Sequence, residues 1–142
     1  MALSLNELRT FAKEFVANLP RAVGAEAHIV GLKGELGSGK TTFVQMIAEE
    51  LGIQDPVTSP TFTILQVYPI NHPVFERLIH VDAYRLSRED SDTIGFQQYR
   101  ENPRNLILVE WPENLRDFPQ SAARITFRVL DTKTRAVEHH AP

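Results

Sequence analysis

Cysteine is missing altogether: none of the 142 residues is one. No disulfide can staple this fold, no thiolate can hold a metal, and a cysteine nucleophile is excluded. Strong charge of either sign is missing too, since 15 Lys and Arg against 18 Asp and Glu leave a formal −3. That balance gives no electrostatic footprint for tight binding to nucleic acid or a membrane, so no DNA or membrane partner is expected. A role around RNA would pass through a protein partner. No apolar stretch approaches membrane-spanning length, and the opening Met1-Ala2-Leu3-Ser4-Leu5-Asn6-Glu7 lacks the basic segment and apolar run of a secretory signal. A cytoplasmic protein is expected. Internal repeats, low-complexity tracts and linkers are absent as well. With 42% apolar and 23% charged residues, the chain has the composition of one ordinary globular domain, 1–142.

What is present is a phosphate-cradling loop. Gly34-Glu35-Leu36-Gly37-Ser38-Gly39-Lys40-Thr41-Thr42 spells glycine, four residues, then Gly-Lys-Thr. Glycines let backbone N–H groups curl around phosphate oxygens where a Cβ would clash, and the next helix points its positive end at them. Lys40 would reach the β and γ phosphates, Thr41 would hold Mg²⁺ through its hydroxyl, and Thr42 would lie near the α phosphate. A glycine-rich turn matching by chance would lack the right surroundings. Here Ala27 to Leu32 reads as a buried strand, and Phe43, Val44, Ile47 and Leu51 form the apolar face of a helix that stops at Gly52.

The rest of the chain supplies an α/β pattern. Ser4 and Glu7 form a capping-box pair opening a helix, with Leu5, Leu8, Phe11, Phe15 and Leu19 on one face and Pro20 ending it. Residues 52–61 have loop composition, and Thr58, Ser59 and Thr61 bring hydroxyls close after the nucleotide loop. That segment is either a γ-phosphate-sensing switch or a polar surface loop. Thr61 to Tyr68 and Phe75 to Val81 read as an antiparallel hairpin turning at Asn71-His72-Pro73. Ser87 to Asp90 caps a further helical stretch that Gly95 splits in two. Asn105 to Val109 is a short apolar strand, and Ala123 to Leu130 with Arg135 to His139 make a last hairpin.

Two acids end apolar strands: Asp82 after Leu78-Ile79-His80-Val81, and Glu110 after Leu106-Ile107-Leu108-Val109. In an open α/β sheet, ligands gather at the carboxyl ends of the parallel strands. Both acids therefore compete to hold Mg²⁺ or its water shell; either is otherwise a helix cap or a partner for a nearby arginine such as Arg85. His80 faces the same side of its strand as Asp82, as a site neighbour or as a satisfied core histidine. His139 and His140 have no companions at metal-ligand spacing and read as surface residues.

Taken in order, the Gly-Lys-Thr-Thr loop, Ser59-Pro60-Thr61-Phe62-Thr63, His80-Val81-Asp82-Ala83-Tyr84-Arg85-Leu86 and Val109-Glu110-Trp111-Pro112 resemble the TsaE (YjeE) family. The resemblance covers nearly the whole chain. It implies a P-loop NTPase-type fold: a mostly parallel sheet with flanking helices and antiparallel additions. It also implies Mg²⁺-dependent ATP hydrolysis supporting threonylcarbamoyladenosine at position 37 of tRNA. The implied protein partners resemble TsaB and TsaD, with tRNA met only through their complex. By the same resemblance the Mg²⁺ ligands match Thr41 and Glu110, Asp82 orients or activates the attacking water, and Thr61 sits near the γ-phosphate. Nucleotide contacts extend over Gly37, Ser38, Gly39, Lys40, Thr41 and Thr42. Trp111 packs at the nucleotide, or else is a plain core tryptophan. A basic residue of the last hairpin is expected there too, Lys133 as the closest match and Arg135 as the alternative. The family's adenine pocket uses the first helix, where no residue is matched.

Nothing in the chain supplies an obvious arginine finger; Arg85 or a partner would provide one, so slow hydrolysis alone is expected. Two rivals remain. A small-molecule kinase would use Arg85, Arg88, Arg100 and Arg104 as a lid over an acceptor, and a nucleotide-gated adaptor would need binding while hydrolysis is incidental.

Overall fold

Ser4 and Glu7 close their capping box as the spacing predicts. Ser4 Oγ accepts the Glu7 N–H at 3.3 Å, and the Glu7 carboxylate accepts the Ser4 N–H at 3.1 Å. Helix α1 (Leu5–Ala17) therefore starts with two otherwise orphan amides satisfied. The computed structural model describes residues 1–54, 65–87, 89–90 and 94–141. Thr61, with the hydroxyls of Thr58 and Ser59, lies outside the described residues.

Among the described residues, seven strands form one sheet: β1 (Ala2–Leu3), β2 (His28–Lys33), β3 (Leu65–Pro69), β4 (Arg77–Asp82), β5 (Asn105–Glu110), β6 (Ala123–Val129) and β7 (Arg135–His140). Their spatial order is β1-β7-β6-β2-β5-β4-β3. The four central strands β6, β2, β5 and β4 run parallel, while β3 joins β4, β7 joins β6 and β1 joins β7 antiparallel. The expected mostly parallel sheet is thus parallel at its centre and antiparallel at both margins. Short links explain β3–β4 and β6–β7, since a hairpin connection can only return antiparallel whereas a parallel pair needs a long crossover; β1 reaches β7 from the other end of the chain.

Alternation along the central strands splits the core into two layers. Val30, Leu32, Leu78, Leu106 and Leu108 pack with α1 and α2 (Lys40–Glu50) on one face. Ile29, Ile79, Val81, Ile107 and Val109 pack on the other with Phe96, Leu115 and Phe118. Gly95, at φ 78°, opens the short helix α3 (Phe96–Arg100), the break expected there. β5 is buried at every position, as a strand covered on both faces must be. No helix among the described residues is long and apolar enough to cross a membrane.

Candidate functional site

At the end of β2 the chain turns directly into the glycine-rich loop. Gly34 sits at φ 152°, and a Cβ there would lie 2.6 Å from the Phe127 carbonyl oxygen and 2.6 Å from Ser38 Oγ. Only glycine fits. Gly39 begins α2 from the left-handed region, at φ 108° and with no side-chain cap. The first amides of α2 are consequently not taken up by a capping side chain, which is how a helix start receives an anion. Ser38 is fully buried, yet its hydroxyl has no partner among the described residues. Buried polar atoms are rarely left so unless a ligand or water meets them.

Lys40 folds back over this loop. Its ammonium donates to the Gly34 carbonyl and lies 3.8 Å from the centre of the Trp111 ring. Burial pushes its pKa down, against the upward pull of the Glu110, Asp82, Glu113 and Glu35 carboxylates. Trp111 is the one non-glycine residue with positive φ among those described, at 60°, and its N–H donates to the Leu32 carbonyl at 3.2 Å. That conformation turns the indole away from the β5 line toward Lys40, with the Tyr84 ring centroid 5.0 Å from its own. Trp111 thus borders the loop and, half-buried, also packs against the core layer of Ile79 and Val109.

The parallel register brings both strand-end acids to the same place. Glu110 stands beside Leu32 on one side and Asp82 on the other. Because β5 is the neighbour of β2, Glu110 is the nearer acid, and Thr41 Oγ1 donates to its two carboxylate oxygens at 2.9 and 3.1 Å. Asp82 lies one strand further out, half-buried, with Oδ1 accepting the Tyr84 N–H at 3.1 Å. Fully buried His80 reaches Glu110 from below, its Nε2 2.6 Å from Oε2.

These groups surround a cavity of about 420 Å³, lined by residues 36–42 together with Asp82, Tyr84, Arg85, Glu110, Trp111 and Arg135. That is a volume ordinary for a small-molecule ligand. A second cavity of about 490 Å³ shares Gly39, Thr42 and Arg135 with it and runs on to Leu3, Ser4, Leu5, Asn6, Leu8, Thr132 and Lys133. Arg135 lies between the two and donates to the Gly37 carbonyl at 3.4 Å. Lys133 borders only the second. Sequence reasoning named Arg135 as the alternative and missed Tyr84, although both stand next to residues it singled out. Leu36, 63% exposed in the middle of the loop, was also passed over.

Comparison with known proteins gives this geometry a family. The sequence profile described as "Threonylcarbamoyl adenosine biosynthesis protein TsaE" matches residues 3–137. The chain belongs to the TsaE family. It is 38% identical over 114 residues to the tRNA threonylcarbamoyladenosine biosynthesis protein TsaE of Bacillus subtilis (strain 168), covering 80% of this chain and 69% of that one. The TsaE of Treponema pallidum (strain Nichols) is 39% identical over 114 residues, covering 79% and 81%. A crystal structure of Bacillus subtilis YdiB superposes with a TM-score of 0.69 at 29% identity, covering 99% of this chain and 83% of that chain. In this TsaE-family chain, the stretch shared with the profile contains every residue of the cavity wall, from Leu36 to Arg135.

Proposed function

We propose that this chain is a Mg²⁺-dependent ATPase of P-loop type, acting as one domain in the formation of tRNA threonylcarbamoyladenosine with partner proteins resembling TsaB and TsaD. The observation carrying the proposal is the Thr41 hydroxyl on the Glu110 carboxylate at the foot of an uncapped glycine loop. A hydroxyl, one carboxylate and phosphate oxygens are the hard oxygen donors Mg²⁺ prefers. Among the described residues no cluster of three or more His, Cys, Asp or Glu offers a competing metal cage. The orphaned Ser38 hydroxyl and the open amides of α2 suit the phosphates. The cavity running on past Thr42 toward α1 has the room and position for base and ribose.

In this reading Lys40 leaves the Gly34 carbonyl and donates to β and γ oxygens, while backbone amides hold the remaining charge. Thr41 and Glu110 would hold Mg²⁺, which neutralises charge on the transferred phosphoryl group. Asp82, exposed to the same cavity, accepts a hydrogen bond from the attacking water and orients it. Thr61 would contact the γ-phosphate, a role that rests on the family resemblance. Arg85 and Arg135 border the cavity, and Arg135 is tied to the carbonyls of Asp131, Thr134 and Gly37. Slow turnover alone, raised by partner proteins, follows.

Hydrolysis is favoured over phosphorylation of a small acceptor by where two of the four lid arginines stand; Arg85 borders the cavity, and Arg88 lies outside the described residues. Arg100 pairs with Glu26 at 3.0 Å, and Arg104 donates to the Val74 carbonyl at 3.3 Å. Both stand at the amino ends of the strands, away from the cavity. An assay following phosphate release to water, with and without partner proteins, tests the reading. A phosphorylated small-molecule product in place of free phosphate would replace it with a kinase. Full tRNA modification by a variant that binds ATP without hydrolysing it would replace it with a nucleotide-gated adaptor.

A further inference from the structure

His80 occupies a position that an aliphatic residue would fill without desolvating any polar atom. Along β4 it points to the same face as Leu78, which is packed in the core beneath α2, and it is itself 0% exposed. Its Nε2 lies 2.6 Å from Glu110 Oε2, while Nδ1 has no partner among the described residues. The tautomer with its hydrogen on Nε2 is the one these partners fit, because a buried N–H without an acceptor is the costlier orphan. His80 does not line the cavity.

Resting on the Mg²⁺-ATP reading above, we infer that His80 is a positioning residue that fixes the Glu110 carboxylate for the cation, through its Nε2 hydrogen bond to Oε2. The two carboxylate oxygens are not equivalent. Oε2 meets the His80 ring nitrogen at 2.6 Å, whereas the single Thr41 hydrogen lies nearer Oε1, at 2.9 against 3.1 Å. The His80 bond to Oε2 stops the carboxylate from rotating and leaves Oε1, on the Thr41 side, as the oxygen that would meet the cation. Donors behind a ligating group act this way generally: they set its orientation, and their removal lowers metal affinity. A histidine merely satisfied in the core would not affect how much Mg²⁺ the site requires.

The test is nucleotide binding to the full chain, read from the fluorescence of its single tryptophan, Trp111, in EDTA and across a Mg²⁺ titration. His80→Leu removes the donor, and His80→Gln keeps an N–H that reaches Glu110. His80→Leu should need about 10- to 100-fold more Mg²⁺ for its cation-dependent gain in affinity. Its affinity in EDTA should match the wild type, and His80→Gln should restore most of the Mg²⁺ response. An unshifted Mg²⁺ midpoint in His80→Leu overturns the inference, as does a loss of affinity in EDTA parallel to that in Mg²⁺. If His80→Leu does not fold, His80→Asn replaces it, since its amide is too short to reach Oε2. Equal Mg²⁺ midpoints for the Asn and Gln variants then overturn the inference. A wild-type chain whose nucleotide affinity ignores Mg²⁺ fails the underlying reading itself, which is a different result from a Mg²⁺ response that His80→Leu leaves unmoved.

Discussion

Thr41 and Glu110 stand 69 residues apart in the chain, yet the hydroxyl of one donates to both carboxylate oxygens of the other, at 2.9 and 3.1 Å. The contact joins the first turn of α2 to the last residue of β5. It exists because β5 lies beside β2, the strand that feeds the loop.

If that pair holds Mg²⁺, Glu110→Gln should lower Mg²⁺-dependent phosphate release by on the order of 100-fold or more. The amide still accepts from Thr41 and fills the same volume, so circular dichroism should be unchanged. Turnover within about twofold of wild type would remove Glu110 from the site.

Arg135 should matter more than Lys133. Arg135 lies between the two cavities, while Lys133 is exposed in the turn of the last hairpin and borders only one. Arg135→Gln should weaken ATP binding by about tenfold, and Lys133→Gln by less than about threefold. Isothermal titration of both variants checks the order, and the reverse order would restore Lys133 as the nucleotide contact.

Gly34 tests the loop's backbone apart from its chemistry. A methyl group there meets the Phe127 carbonyl oxygen and Ser38 Oγ at 2.6 Å each. Gly34→Ala should cost about 2 kcal/mol or more, since backbone cannot yield as a flexible side chain does. Urea denaturation measures it, and a loss below about 0.5 kcal/mol would mean the loop rearranges freely.

One pH effect follows from β2. His28 has its pKa lowered, first by burial and then by repulsion from His139, from an ordinary 6.5. Its stabilising contribution is complete above 6.5 and is lost as pH falls through the lower folded value, because the unfolded chain binds the proton first. His28→Gln should therefore flatten the fall in Tm between about pH 7 and pH 5. An unchanged slope would place the acid sensitivity elsewhere.

How much of this was legible depended on whether a feature is local. The Ser4–Glu7 box, the glycine loop and the helix stop at Gly52 are written in neighbouring residues, and the elements appear where the spelling puts them. Strand β1 was not legible, because two residues become a strand only by pairing Ala2 with Ala136 at the far end of the chain. Both acids could be found at strand ends, but residue patterns alone could not rank them. The family resemblance put Glu110 first, and sheet order sets Glu110 next to the loop and Asp82 a strand beyond. The His80–Glu110 bond depends on the register of β4 against β5 and leaves no local signal. Arg135 and Lys133 differ by two positions in one hairpin, so only the course of the strand separates them.

Phosphate release from ATP by the purified chain, with and without Mg²⁺, alone and with TsaB- and TsaD-like partners, decides whether the glycine loop serves a Mg²⁺-dependent ATPase. An ATPase of this kind releases phosphate slowly, requires Mg²⁺, speeds up when the partners are added and falls silent in Lys40→Ala. Release that persists without Mg²⁺ or in Lys40→Ala, or that the partners leave unchanged, would contradict it.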